Sequence, residues 1–270
     1  MVHGDDMKVV RHYVENELRN FNYLLGCDRT HQAIVIDPLD HQAVLSLADQ
    51  HGWTIRVILN THEHHDHIDG NPFVRQVTGA EVWAHRNLCS VIPHVAKGLV
   101  ENEFIELGDI RLKVLFTPGH TSAHVCFVSI PKSPADSSCF FSGDTLFNAS
   151  AGNCRNGGNV HDLYATFSKV ISSLPDSTLL YPGHDYLLNN LNFALSCDEK
   201  NQHAAMLREK VLTLSGSNMP IMNLGEERQY NPFLRLEQPE IRHKVCATYP
   251  ELSCEPHEIF TGLRRLRDNW

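Results

Sequence analysis

The sequence predicts a mixed α/β body followed by a helical C-terminal part, and two observations lead to this fold class. Short apolar runs rich in β-branched or aromatic residues recur as far as residue 181, with helical patterns between some of them. After about residue 186 the patterns are helical, and no convincing strand follows. We therefore expect one α/β domain over residues 1–188 and a helical domain over residues 189–270.

The individual elements follow from length and periodicity. Each apolar run is short enough for a strand and is bounded by turn residues, whereas the helical stretches repeat apolar residues at i, i+3 and i+4. A stretch with two prolines, PKSPADSS, predicts a loop over residues 131–138. The predicted strands are 33–37, 55–60, 81–84, 111–117, 124–130, 139–144 and 178–181. The predicted helices are 40–52, 160–174, 200–214 and 256–270.

Composition limits the class of protein. The chain has 270 residues, of which 42% are hydrophobic and 20% are charged, so it should fold as a soluble globule. No apolar run approaches the ~20 residues of a membrane-spanning helix. The net charge is −9, and the short group Arg264, Arg265 and Arg267 is the one basic cluster, which argues against nucleic acid as a partner.

The cysteines indicate a reducing compartment. None of the eight forms a C-x-x-C pair, and the acidic start MVHGDDMKVV does not resemble an export signal. A disulfide framework is therefore not expected, and we predict a cytoplasmic protein.

The stretch THEHHDHIDG at residues 61–70 carries four histidines and two aspartates. In an extended loop alternate residues point the same way, so His62 and His64 can bind one cation. Asp66 and His67 lie just beyond and can reach a second cation. Imidazole and carboxylate ligands suit zinc, iron(II) or manganese better than calcium or magnesium. A solvated polar loop is the alternative reading.

Further polar residues lie where predicted strands end. His62, His120, Asp144 and His184 each follow a strand, and the last three have a turn glycine beside them in TPGHTSAH, SGDTLF and YPGHDY. Strand ends that lead into loops can direct side chains from a rigid sheet towards one point. These residues are therefore candidate ligands, although a histidine at a strand end is often only a structural residue.

These motifs, in this order, resemble the metallo-β-lactamase superfamily, and within it the glyoxalase II (hydroxyacylglutathione hydrolase) family. Further segments resemble that family's first hairpin, at residues 20–38, and its bridge into a helical domain, at residues 189–195. The segment EERQYNPFLR at residues 226–235 resembles its C-terminal substrate-binding segment. The resemblance implies an αββα sandwich, with a catalytic domain over residues 1–188 and a helical substrate-binding domain over residues 189–270.

The resemblance also implies a ligand set for two divalent metal ions, expected to be zinc, with iron or manganese as alternatives. His62, His64 and His120 would hold the first ion, and Asp66, His67 and His184 would hold the second. Asp144 would bridge the two ions. Asp66 would also orient the hydroxide that attacks the carbonyl carbon of a thioester.

The implied substrate is S-D-lactoylglutathione or a related S-acyl thiol, which links the protein to methylglyoxal detoxification. Tyr186 and Arg235 match the family's glutathione-binding residues. Asn153 stands where the family has a basic residue, and Arg155 stands near an aromatic position, so Arg155 would supply charge recognition. The family's second C-terminal base is missing, because residues 236–238 are Leu, Glu and Gln. No membrane partner is expected, and the oligomeric state would be a monomer or a small homo-oligomer.

Several alternatives remain at this point. A persulfide dioxygenase of the same superfamily uses one iron but usually lacks the Y-N-P-F-x-R extension. The common zinc-dependent β-lactamases place Cys where this chain has Asp144. A nuclease of the superfamily would need a basic surface, whereas this chain is acidic. A non-catalytic binding protein would be expected to lose ligands, whereas all seven are present. A hydrolase of other thioesters or of lactones would keep the same metal centre.

Two histidines and two aspartates have expected roles outside the ligand set. His65 is interpreted as a residue that lies behind the ligands or packs against them, and His124 as a residue that binds no metal. We expect Asp69 and Asp185 either to orient ligand imidazoles or to be solvated carboxylates.

Overall fold

The computed structural model describes residues 7–133 and 136–270 and arranges them as two packed β-sheets with helices on both outer faces. This confirms the predicted αββα sandwich with a C-terminal helical region. The strands are β1 Met7–Tyr13, β2 Phe21–Cys27, β3 Gln32–Ile36, β4 Thr54–Leu59, β5 Glu81–His85, β6 Val95–Leu99, β7 Phe104–Leu107, β8 Ile110–Phe116, β9 Val125–Ser129, β10 Cys139–Gly143, β11 Leu146–Phe147, β12 Ser150–Ala151 and β13 Leu179–Pro182.

The helices lie between these strands and continue after them. They are α1 His41–Gln50, α2 His65–Ile68, α3 Asn71–Thr78, α4 Val160–Lys169, α5 Leu187–Cys197, α6 Gln202–Val211, α7 Leu224–Tyr230, α8 Pro239–Thr248 and α9 Pro256–Asp268. Short 3₁₀ turns connect some of them. Local signals explain several boundaries, since Asp40, Asn159 and Asn201 cap the first backbone N–H groups of α1, α4 and α6 with their side chains.

The two sheets differ in topology. The first has the order β1-β2-β3-β4-β5-β6, with antiparallel pairing through β3 and parallel pairing from β3 to β6. The second has the order β13-β10-β9-β8-β7, in which only the β10–β13 pair is parallel. Helices cover the outer face of each sheet, so the central strands are buried on both faces. This explains why β2 is buried along its whole length.

The hydrophobic core has separate layers. Tyr23, Ile36 and Phe127 belong to the cluster between the two sheets. A second cluster joins the outer face of the first sheet to α1 and α3. A third contains Phe140 of β10 together with Phe193 and Phe260 of the C-terminal helices. The C-terminal helices therefore share one core with the second sheet, and the division at residue 188 stays a prediction.

All seven strands and all four helices expected from sequence patterns are present, with bounds shifted by a few residues. The loop expected at residues 131–138 falls partly outside the described residues. Some elements escaped the pattern analysis because they are short or weakly apolar, such as β6, which contains a glycine, and β7, which has four residues. Among the described residues, no helix is both long and apolar enough to cross a membrane.

Candidate metal centre and the adjoining pocket

The candidate site lies at one edge of the sandwich, where strands of both sheets end. β4 of the first sheet leads into the segment that carries His62, His64, Asp66 and His67. From the second sheet, β8, β10 and β13 are followed by His120, Asp144 and His184, respectively. The structure thus brings together all seven predicted ligands, which come from four separate chain segments.

Three imidazoles form the first group of converging donors. His64 Nδ1 lies 3.0 Å from His62 Nε2 and 3.0 Å from His120 Nε2. His64 is extended, but a helical turn begins at His65, so the predicted extended loop ends there. These three nitrogens can hold one metal ion.

Asp66, His67 and His184 form the second group. The Nε2 atoms of His67 and His184 are 3.3 Å apart, and Asp66 Oδ2 lies 3.4 Å from each of them. The turn of α2 places Asp66 and His67 on this side of the site, while His64 faces the other side.

Asp144 lies between the two groups. Its Oδ1 is 3.4 Å from His67 Nε2 and 3.3 Å from His184 Nε2, and its Oδ2 is 3.4 Å from His120 Nε2. Oδ1 is buried and has no hydrogen-bond partner among the described residues. Ligand atoms about 2.1 Å from a tetrahedral ion are separated by about 3.4 Å, which matches these distances. The donor set and the partnerless oxygen therefore fit divalent metal ions.

The electrostatics of the cluster suit cations. Burial lowers the pKa of His62 well below its usual value, so its Nε2 lone pair is free to bind a metal. Burial raises the pKa of Asp144, but the imidazoles of His184 and His67 outweigh this effect and hold the pKa well below its usual range. In His67 burial lowers the pKa, yet Asp144 and Asp37 raise it well above normal. The carboxylate side of the cluster therefore attracts positive charge.

The second ring nitrogen of each ligand imidazole is also held in place. Such contacts fix the tautomer and the orientation of a metal-binding histidine. Backbone carbonyls accept from three of the rings. The pairs are His64 Nε2 with Asn156 O at 3.2 Å, His120 Nδ1 with Asn153 O at 2.7 Å and His184 Nδ1 with Leu18 O at 2.7 Å.

Asp37, at the end of the apolar run AIVID, orients the remaining two rings. Its Oδ2 accepts from His67 Nδ1 at 2.9 Å and from Thr61 Oγ1 at 2.7 Å, and Thr61 Oγ1 in turn contacts His62 Nδ1 at 2.9 Å. The sequence analysis did not find Asp37, although an acid that closes an apolar strand next to a turn was the available signal.

Of the two roles expected for Asp69 and Asp185, the exposed Asp69 fits a solvated carboxylate, and neither residue contacts a predicted ligand imidazole among the described residues. Asp69 contacts the exposed His65 instead, and Asp185 binds Arg19 at 2.9 Å. His65 is 91% exposed, so it neither packs nor lies behind the ligands. Among the described residues His124 is not part of a group of converging donors, and its Nε2 accepts from the backbone N–H of Asp144 at 3.1 Å. His124 therefore positions Asp144, the residue predicted to bridge the two ions.

Glycines allow the chain to come close to the ligands. A Cβ atom on Gly183 would lie 2.4 Å from Asp144 Oδ1, and one on Gly143, where φ is +47°, would lie 2.8 Å from His124 Nε2. Both positions therefore require the absence of a side chain, and at Gly143 the backbone conformation itself also favours glycine.

A pocket of about 220 Å³ is lined by Tyr186 and residues of the C-terminal helix α9. The ring of Tyr186 stacks on His184 with 4.9 Å between centroids and an interplanar angle of 4°, which links the pocket to the metal centre. Burial raises the pKa of Tyr186, and Asp144 and Asp66 raise it further, so the phenol stays neutral. The lining residues are Phe147, Ala151, Asn153, Arg155, Tyr186, Asn190, Arg264, Arg267, Asp268 and Trp270.

The pocket contains three of the four predicted substrate-binding residues. Asn153, Arg155 and Tyr186 line it, whereas Arg235 does not. Arg235 is largely buried and pairs with Asp198 at 2.8 Å. The sequence analysis suggested Arg235 as a partner for a substrate carboxylate, but the structure shows it paired within the protein.

Arginines of α9 provide basic groups that the sequence analysis did not assign to the site. Arg264 is buried and donates to the carbonyls of Ala151 and Gly152 at 2.8 and 3.0 Å, and burial lowers its pKa to about 10. Arg267 donates to Asn190 Oδ1 at 3.0 Å, and burial lowers the pKa of Arg267 although Asp268 opposes this effect. Arg267 therefore presents a half-buried positive charge to the pocket.

Comparison with known proteins agrees with this architecture. A model of the metallo-beta-lactamase superfamily matches residues 18–184, and a model of the hydroxyacylglutathione hydrolase C-terminus matches residues 185–270. The hydroxyacylglutathione hydrolase of Polaromonas sp. (strain JS666) is 44% identical over 267 residues, which cover 98% of this chain and 100% of that protein. The hydroxyacylglutathione hydrolase of Nitrosococcus oceani is 40% identical with the same coverage.

The chain belongs to the hydroxyacylglutathione hydrolase family. The resemblance found in the sequence motifs is thereby confirmed. The matches to this family cover both the α/β body and the helical C-terminus of the chain.

The fold of this hydroxyacylglutathione hydrolase family member is shared more widely. The crystal structure of ETHE1 from Myxococcus xanthus has a TM-score of 0.67 and 24% identity, and the match covers 97% of this chain and 98% of that one. Identity this low shows a common fold only. The match of residues 185–270 to the hydroxyacylglutathione hydrolase C-terminus, together with 44% identity to a hydrolase of that name, favours the hydrolase over the dioxygenase alternative.

Proposed function

We propose that the protein hydrolyses S-D-lactoylglutathione or a related S-acyl glutathione to a hydroxy acid and the free thiol. The convergence of seven imidazole and carboxylate side chains, with Asp144 between the two groups of three, carries this proposal. The full-length similarity to hydroxyacylglutathione hydrolases supports the choice of substrate. This reaction would place the protein in methylglyoxal detoxification.

The proposed cofactors are two divalent metal ions, preferably zinc, with iron or manganese as alternatives. His62, His64 and His120 would hold one ion and Asp66, His67 and His184 the other, with one oxygen of Asp144 on each side. When bound, such ions supply a hydroxide nucleophile at neutral pH and polarise a carbonyl oxygen.

We assign to Asp66 a second role as the residue that orients the attacking water. Its side chain is 21% exposed and that of Asp144 is 10% exposed, so Asp66 is the more accessible of the two ligand carboxylates. Asn20 Nδ2 donates to Asp66 Oδ2 at 2.9 Å and so fixes the carboxylate plane. The pKa of Asp66 is lowered because hydrogen bonds from His67 and Asn20 outweigh the effect of burial, which keeps the carboxylate ionised.

The pocket beside His184 would take the glutathione part of the substrate. Tyr186 would contact the substrate near the centre, and Arg155, Arg267 and Asn153 would face its carboxylates and amides. A departing thiolate needs no strong acid, which agrees with a centre that offers carboxylates and imidazoles. Arg155 also contacts Asp268, so a substrate carboxylate would compete with Asp268 for it.

The test is S-D-lactoylglutathione hydrolysis by purified protein of known metal content, with His62→Ala compared with His65→Ala. His65 is an exposed histidine of the same motif and is therefore a matched control. We expect turnover with about two metal ions per chain, lost in His62→Ala and retained in His65→Ala. No turnover at full metal loading would refute the glutathione substrate and direct the assay to other thioesters and to lactones. One iron per chain with oxygen uptake would instead support a dioxygenase.

We further propose a cytoplasmic location and a monomer or small homo-oligomer. None of the eight cysteines, all of which lie among the described residues, is part of a disulfide, which suits a reducing compartment. Size-exclusion chromatography with light scattering measures the oligomeric state directly.

A further inference from the structure

The thiols of Cys246 and Cys254 lie in contact, apart from the residues of the metal centre. Cys246 is in the C-terminal half of α8, and Cys254 lies in the connection to α9, just before Pro256. Their Sγ atoms are 2.7 Å apart. Cys246 is half-buried and Cys254 is exposed, so a small molecule can reach the pair.

Contacts other than the thiols also hold the two segments together. The guanidinium of Arg242, one turn before Cys246 on α8, donates to the carbonyl of Cys254 at 2.8 Å. A turn follows α8, in which Leu252 N donates to Tyr249 O at 3.0 Å. A Cβ atom on Gly262 would lie 2.3 Å from Val245 Cγ1, which shows how closely α9 approaches α8. The contact between the thiols is therefore built into the α8–α9 packing.

We infer that Cys246 and Cys254 form a reversible intrachain disulfide by exchange with a small disulfide such as glutathione disulfide. The exposed Cys254 thiolate attacks one sulfur of the small disulfide, which gives a mixed disulfide and releases one thiolate. Cys246 then loses its proton to solvent and attacks Cys254 Sγ, and the second thiolate leaves. The two protein thiols are oxidised, and the small disulfide is reduced to two thiols.

The order of these steps follows from the surroundings of each sulfur. The contact with Cys254 raises the pKa of Cys246, and burial adds to this effect, so Cys254 is the better first nucleophile. Cys246 is already next to the sulfur that it must attack, which makes the second step intramolecular and fast. A glutathione adduct on Cys254 should therefore be short-lived.

The disulfide would stabilise the C-terminal helices. It would link the end of α8 to the start of α9, the helix that carries Arg264 and Arg267 of the pocket. The predicted metal ligands lie on other segments, so formation of the disulfide should not change the metal content of the protein. This inference does not depend on the proposed hydrolysis, because the thiol contact involves none of the residues assigned to it.

The experiment exposes the metal-loaded, full-length protein to mixtures of reduced and oxidised glutathione, followed by acid quenching, intact mass and peptide mapping. We expect a species lighter by two hydrogen atoms, with residues 246 and 254 cross-linked, that dithiothreitol reverses. The melting temperature of this species should rise by about 5 °C.

Two variants separate the steps. Cys246→Ser should accumulate a glutathione adduct on Cys254, because the resolving thiol is absent. Cys89→Ser, which removes an exposed cysteine elsewhere, should still form the cross-link. A stable glutathione adduct on Cys254 in the unmodified protein would overturn the inference. So would the absence of a cross-link in a sample where Cys89 is glutathionylated, or a cross-linked protein with an unchanged melting temperature.

Discussion

Replacing Asp37 by Asn should weaken metal binding although Asp37 is not itself one of the predicted ligands. The carboxylate accepts three hydrogen bonds, from Thr61 N at 2.9 Å, Thr61 Oγ1 at 2.7 Å and His67 Nδ1 at 2.9 Å. An asparagine side chain has the same shape but only one acceptor oxygen. In either orientation of the amide, an N–H group faces another donor, so at least one of these bonds is lost.

The structure gives the expected magnitude. The side chain of Asp37 is 5% exposed, so water cannot replace the lost acceptor. A hydrogen bond to a charged group contributes about 1.5–3 kcal/mol, and each 1.4 kcal/mol corresponds to about a tenfold change in an equilibrium constant. We therefore expect metal affinity to fall by about 10- to 100-fold, in line with the effect of similar substitutions behind metal ligands.

The assay is competition for the metal with a chromophoric chelator, together with thioester hydrolysis at low and at saturating metal concentrations. Activity of Asp37→Asn should recover partly as the metal concentration rises, because the ligands themselves remain. Asp69→Asn is the matched control, since the carboxylate of Asp69 pairs with the exposed His65 rather than with a predicted ligand. If Asp37→Asn binds metal as tightly as the unmodified protein, or if Asp69→Asn weakens binding instead, the reasoning is refuted.

Three further predictions concern the centre and its supports. Gly183→Ala should abolish binding of at least one metal ion, because its Cβ would lie 2.4 Å from Asp144 Oδ1; normal metal content by elemental analysis would contradict this. Glu227→Gln should lower the free energy of unfolding by about 1–3 kcal/mol, since the four groups that contact this buried carboxylate are all donors; urea denaturation measures the loss. Removing the metal with a chelator should lower the melting temperature, because an ion bound only by the folded state stabilises it; a chelated protein that melts at the same temperature would argue against ligand-held ions.

The sequence alone predicts most of the side chains that converge in the candidate metal centre. His62, His64, Asp66 and His67 lie within six residues, and the remaining predicted ligands each lie at the end of a strand beside a turn glycine. Such patterns are local in the sequence, so they can be recognised without knowledge of the tertiary structure. The strand and helix patterns were reliable where apolar periodicity was strong, and they failed for short or weakly apolar elements such as β6 and β7.

Other features depend on contacts between distant parts of the chain, and only the tertiary structure decides them. Asp37 orients His67 across 30 residues, and Arg235 pairs with Asp198 rather than facing the pocket. Arg267 reaches the pocket because α9 packs back onto the second sheet. An arginine or aspartate has the same local pattern whether it binds substrate, a ligand imidazole or another side chain, so its role is set by whichever partner the fold brings within hydrogen-bonding distance.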